Sequence, residues 1–198
     1  MNLKPSIHRG PALIICTGAG AEVADVRSSD AWPGGIELEL VVVGVPTDED
    51  VKRVLVLAEQ LVASNYGPIG LAGASVGGQT ALSAWEMVGV KGGWGCLLML
   101  YGGVARQHLM PSALGGTTES LLLYLVGRQD WQHVTRGAAL LGARAFAGRH
   151  GGFAPQWLRV HPGGHGTVLR GVRAQRDIRN FLGYALLGRP KPAWKVWP

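Results

Sequence analysis

Six short runs of apolar residues punctuate the chain, at 12–17 (ALIICT), 36–44 (IELELVVVG), 68–74 (PIGLAGA), 95–101 (GCLLMLY), 120–126 (SLLLYLV) and 156–161 (QWLRVH). Most are continuous instead of alternating, which marks strands covered on both faces. Between them, apolar residues recur at helical spacing. Residues 48–64 open with Asp48, Glu49 and Asp50, acids suited to a first turn, and continue with Val51, Val54, Leu55, Leu57, Ala58, Leu61 and Val62. Similar patterns predict helices over 78–88, 131–148 and 168–187. The last sends Leu169, Val172, Ile178, Phe181, Leu182 and Ala185 to the core, with Arg170, Arg173, Arg176 and Arg179 mostly outward. Segment 21–29 is too short to assign.

Alternation of strand and helix implies parallel strands joined by right-handed crossovers. The expected fold class is α/β, a three-layer, doubly wound, mostly parallel six-stranded sheet. A chain of 198 residues with 47% apolar content suits one domain over 1–198, with its core over about 10–187 and a Pro-broken tail at 188–198. Two connections stand out: this tail, and the long Gly-rich stretch 102–119 (GGVARQHLMPSALGGTTE). In such a sheet the ligand site lies beyond the C-terminal ends of the strands, so the residues just after each run are the ones to inspect.

Composition narrows the class. Glycine (31) and proline (11) make about a fifth of the chain, below the roughly 25–30% that marks disorder, and the charged fraction of 16% describes a chain with much interior. No apolar run approaches the roughly 20 residues of a membrane span. The start, MNLKPSIHRGPALIIC, breaks at Arg9-Gly10-Pro11 and carries no small-residue cleavage site, which argues for a soluble, cytoplasmic protein. Cys16 and Cys96 lie inside apolar runs and read as buried reduced thiols, not a disulfide or metal framework. Charge is uneven: residues 1–127 hold 7 Lys/Arg against 11 Asp/Glu, net −4, while 128–198 hold 12 against Asp130 and Asp177, net +10. The arginines are spaced along amphipathic helices with no basic run interleaved with aromatics, so a solvated face is expected and a nucleic-acid partner is not. An anionic substrate group or an acidic carrier protein is the remaining candidate partner for that half.

Chemistry concentrates at Gly73-Ala74-Ser75-Val76-Gly77-Gly78, which follows a strand and opens a helix. A nucleophile on a sharp strand-to-helix turn needs small residues two positions either side, where main chains cross closely. The helix N-terminus beside Ser75 favours a developing oxyanion. A Gly-rich turn with an incidental serine has the same spelling. Serine also needs a base, and the base an acid. Asp130 lies four residues after the strand ending at Val126, and His165 four after the last strand, in a Gly-Gly-His-Gly loop. Ser…Asp…His, each after its own strand, is the order expected for such a sheet. Asp130 could instead cap helix 131–148. His161 is the rival base, but falls at the end of its strand and reads as packed. Thr17-Gly18-Ala19-Gly20 follows the first strand, which should neighbour the Ser75 strand; Ala19 and Val76 are the expected oxyanion donors by position. A dinucleotide turn is the competing reading of Gly18-x-Gly20, but Val23 occupies the third glycine position and no acid ends strand 36–44.

The chain here resembles the α/β hydrolases, and within them the compact dienelactone hydrolase-like group. The likeness spans roughly 10–187 and rests on Gly73-Ala-Ser-Val-Gly77, Leu100-Tyr101-Gly102, Leu125-Val126-Gly127-Arg-Gln-Asp130 and Gly163-Gly-His165-Gly. It implies Ser75 as nucleophile, Asp130 as triad acid and His165 as general base, on a minimal core lacking the first two strands of larger members. Many dienelactone hydrolases have Cys where this chain has Ser75, and members often have His-Gly or an acid where it has Thr17-Gly18. The expected activity is hydrolysis of a small ester, thioester or lactone through an acyl-enzyme. No cofactor, metal or membrane is expected. Thr17, Gly18, Tyr101, Arg106, His108, Met110 and Trp131 are the candidate pocket residues, by position. Acyl transfer or cyclisation on the same triad, and a non-catalytic binding module, are the alternatives.

Overall fold

The computed structural model describes residues 9–19, 21–88, 94–101, 121–130 and 156–194. Each apolar run becomes a strand: β1 (Gly10–Thr17), β2 (Glu37–Val42), β3 (Tyr66–Ala74), β4 (Trp94–Leu100), β5 (Leu121–Gly127) and β6 (Gln156–His161). They form one sheet in the order β2-β1-β3-β4-β5-β6, and all five pairings are parallel. Helices α1 (Ala21–Ser28), α2 (Asp48–Ala63), α3 (Gly77–Val88) and α4 (Val172–Leu187) connect or flank them. The predicted helix over 131–148 lies outside the described residues, as does the connection 102–119.

Helices cover both faces, and two glycines of β3 show it. A Cβ on Gly70 would strike Leu186 of α4, whereas one on Gly73, at a position of opposite parity, would strike Gly78 and Ala81 of α3. This two-sided cover explains the continuous burial of the central strands: Leu13, Ile14, Ile15, Leu71, Leu97, Leu98 and Leu123 are all fully buried. The edge strand β2 is more open, with Leu38 and Val42 exposed beside Glu37. At the other edge, Trp194 of the tail packs edge-on against Trp157 of β6 at 5.7 Å, so the tail shields that strand's rim.

α2 starts where its acids suggested. The Thr47 hydroxyl accepts the Asp50 N–H at 3.2 Å and the Asp50 carboxylate accepts the Thr47 N–H at 3.1 Å, a reciprocal cap. The predicted helix 168–187 is two elements. A short 3₁₀ turn at Thr167–Arg170 ends at Gly171, whose extended backbone (φ −78°, ψ 121°) starts α4 at Val172. Val172, expected in the core, is therefore at a helix start and 75% exposed, while Leu169, Ile178, Phe181 and Leu182 are buried as expected. No helix among the described residues is long and apolar enough to cross a membrane.

Candidate active site

The strand order reverses between β1 and β3, so the connections leaving these two neighbours diverge and open a crevice at their C-terminal ends. Ser75 sits there. It is 5% exposed and takes a positive φ of 51°, a conformation uncommon outside glycine that is typical of strained functional turns. The flanking glycines explain how so sharp a turn packs. A Cβ on Gly77 would sit inside the Cys16–Thr17 peptide of β1, and one on Gly73 would come within 2.6–2.7 Å of Gly78 and Ala81. The Ser75 N–H donates to the Leu100 carbonyl at the end of β4 (3.1 Å), and its own carbonyl accepts from Gly78 at the first turn of α3 (3.0 Å).

His165 reaches Ser75 from across the rim. Its Nε2 lies 2.8 Å from the Ser75 hydroxyl and its Nδ1 lies 2.9 Å from Asp130 Oδ1. A carboxylate oxygen accepts, so Nδ1 carries the proton and Nε2 is left to accept from the Ser75 O–H. The Asp130 side chain is fully buried and that of His165 is 14% exposed, so the relay sits in a largely dry environment where its polar interactions are strong. His161, the rival base, is buried at the end of β6 with its Nε2 3.2 Å from Asp177 of α4, turned away from Ser75's relay.

The acid turn and the base loop are fastened to each other. The Arg128 N–H donates to the His161 carbonyl (2.7 Å) and the Gln129 N–H to the Gly163 carbonyl (3.0 Å). The Gly163 N–H donates back to Gln129 Oε1 (2.8 Å). Gln129 therefore clamps the loop that carries His165 to the turn that carries Asp130. Nothing in the residue pattern pointed to it, because its partner is a backbone group 34 positions away. A second fastening lies farther along: Arg170 forks onto both Asp25 oxygens at 2.9 and 3.1 Å, tying the 3₁₀ turn after His165 to α1.

Thr17 and Gly18 are buried at the end of β1, and Ala19 is exposed just beyond. The pairing of Cys16 with Gly73 carries these residues toward the level of Ser75. The Thr17 carbonyl accepts from Val43 (2.8 Å), and its hydroxyl has no partner among the described residues. Val76 precedes α3, where helix geometry leaves amides without intrahelical acceptors. Tyr101 is fully buried, its ring packed edge-on against the His165 imidazole. Arg106, His108, Met110 and Trp131 lie outside the described residues. An apolar groove of about 440 Å³, lined by Leu55, Ala58, Ile69 and Trp94, opens at the N-terminal ends of β3 and β4, the far end of the sheet from Ser75.

Both thiols are buried within the core, and burial pushes each up to about 12; at Cys16 the nearby Arg53 pulls back and Asp50 adds to the rise. Such thiols are inert.

No protein-family model and no curated protein sequence matches this chain. Solved structures do. Est1E from Butyrivibrio proteoclasticus superposes with a TM-score of 0.70 at 13% identity, covering 92% of this chain and 90% of its own. The esterase Pf2001 of Pyrococcus furiosus gives 0.66 at 14% identity over 89% and 83%. Acyl-protein thioesterase 2 of Zea mays gives 0.58 at 15% identity over 92% and 96%. With six parallel strands, a strained serine after β3 and these structural neighbours, the chain has the α/β hydrolase fold.

Proposed function

We propose that this protein is a serine hydrolase acting on a small ester or thioester. The observation that carries the reading is the unbroken relay from the Ser75 hydroxyl through His165 to Asp130, at 2.8 and 2.9 Å. In the reaction, Ser75 Oγ bonds to the substrate carbonyl carbon while its proton passes to His165 Nε2. Asp130 remains ionised and holds the resulting imidazolium. Collapse of the tetrahedral intermediate breaks the bond to the leaving alkoxide or thiolate, which takes the proton from His165. Water then repeats the sequence: it gives a proton to His165, attacks the acyl carbon and releases the carboxylic acid as Ser75 regains its proton. Backbone amides at Ala19 and Val76 are the proposed donors to the oxyanion.

Among the structural neighbours, those from Pyrococcus furiosus and Pyrobaculum calidifontis are named as esterases and that from Zea mays as an acyl-protein thioesterase, and Est1E is also seen with ferulic acid bound. These names favour esters and thioesters over the lactones of the dienelactone hydrolase-like group. A panel of p-nitrophenyl esters, methyl ferulate and acyl-coenzyme A thioesters tests the reading. We expect release of free acid by the wild type and not by Ser75→Ala. No turnover of any member, or equal turnover by both proteins, would refute it. Transfer of the acyl group to an added alcohol or amine in place of free acid would move the assignment to an acyltransferase on the same triad.

A further inference from the structure

We infer that Tyr101 is a positioning residue whose buried ring sets the plane of the His165 imidazole; this rests on the proposed serine hydrolase chemistry. Two hydrogen bonds hold the imidazole, one at each ring nitrogen. Both bonds act at the ring nitrogens, and packing against the ring itself adds a restraint that they do not supply. Tyr101 is the wall that supplies it: its ring centroid is 4.9 Å from that of His165, with the planes at 75°, a favoured aromatic arrangement.

The backbone of Tyr101 supports this role. It adopts a positive φ of 40°, costly for a bulky aromatic, where glycine or asparagine would make the turn with less strain. Such strain persists only where the surroundings over-determine the residue. Here they do. The Tyr101 N–H donates to the Leu125 carbonyl (2.8 Å) in the strand leading to Asp130, and the preceding Leu100 carbonyl accepts the Ser75 N–H (3.1 Å). The side chain is fully buried, so the wall cannot swing aside. One residue thereby joins the backbone of the nucleophile, the strand of the acid and the ring of the base.

The test compares Tyr101→Leu, Tyr101→Met and Tyr101→Phe with the wild type, each assayed well below its melting temperature. Loss of the flat ring should lower kcat roughly 10- to 100-fold, the effect of a small misplacement at the reacting centre, with KM nearly unchanged. Tyr101→Phe, which keeps the ring, should restore kcat. Independently of turnover, the His165 Nδ1–H resonance in a ¹⁵N-labelled sample, assigned by its loss in His165→Gln, should be sharp in the wild type and Tyr101→Phe and broadened in Tyr101→Leu. Tyr101→Met fills the same space without a flat wall and serves if the leucine variant does not fold. A change in KM alone would make Tyr101 a pocket wall, and a lower melting temperature with unaltered kinetics would make it structural; either overturns the inference. An inactive wild type would sink the hydrolase reading, and the resonance would still decide the role of Tyr101: an unaltered signal in Tyr101→Leu overturns it.

Discussion

His161 and His165 stand four positions apart, and each meets an aspartate. His165 pairs with Asp130 through Nδ1 and keeps Nε2 for the Ser75 hydroxyl. His161 turns Nε2 to Asp177, whose same oxygen also takes the Arg159 Nε–H at 2.9 Å. Burial alone would push the Asp177 carboxyl up, but the His161 and Arg159 groups facing it outweigh that effect and hold it below its ordinary value. The first pair is unfinished, with an acceptor nitrogen aimed at a weak nucleophile. The second is closed by Arg159, which donates to the same carboxylate oxygen that faces His161. A proposed catalytic pair is therefore told from a structural one by what stands beside it, the Ser75 hydroxyl in the first case and the Arg159 guanidinium in the second, since both pairs are buried.

The largest way to break this contrast is to remove the open pair. Ser75→Ala or His165→Ala should lower ester turnover on the order of 10⁴- to 10⁶-fold, and Asp130→Asn about 10⁴-fold, with thermal melting little changed. Steady-state rates and calorimetry on the same samples check this. The closed pair should respond in the other currency. Asp177→Ala leaves Arg159 and His161 without their partner and should cost about 1–3 kcal/mol in urea unfolding, while the folded fraction turns over far faster than any triad variant. Acid sharpens the point. A carboxyl lowered on folding stabilises fully above its unfolded value, near 3.8, and that contribution is lost as pH falls through the lower folded value. The wild-type advantage over Asp177→Asn in urea midpoint should shrink as pH falls below about 4. The smallest expected effect is at the thiols. Native protein at pH 8 should leave Cys16 and Cys96 unmodified by iodoacetamide with activity intact, and both should label in urea.

The strands were legible because a sheet covered on both faces demands unbroken apolar runs, and Leu97 to Leu100 or Leu122 to Val126 could have little other use. The meeting of Ser75, His165 and Asp130 was legible for a related reason: the topology sends every strand end to one rim, where a serine between close-packed glycines, an acid and a histidine, each just past a strand, come together. Local chemistry was harder to read. Gly171 interrupts the periodicity of 168–187 without disturbing its apolar spacing, so the break before α4 was invisible. Asp177 occupies a position in the middle of a helix, and its partners Arg159 and His161 sit alternately on an edge strand, so their closure depends on how α4 lies across β6. The Gln129 clamp and the role of Tyr101 depend on turn conformations that no periodicity encodes.

The central claim is that Ser75 is a nucleophile made reactive by His165. Intact-mass spectrometry after exposure to a fluorophosphonate, followed by peptide mapping, tests it most directly. One adduct on Ser75 in the wild type, absent from Ser75→Ala and strongly slowed in His165→Ala, is the predicted result. No adduct while a control serine hydrolase reacts, or an adduct that forms as fast without His165, would contradict it.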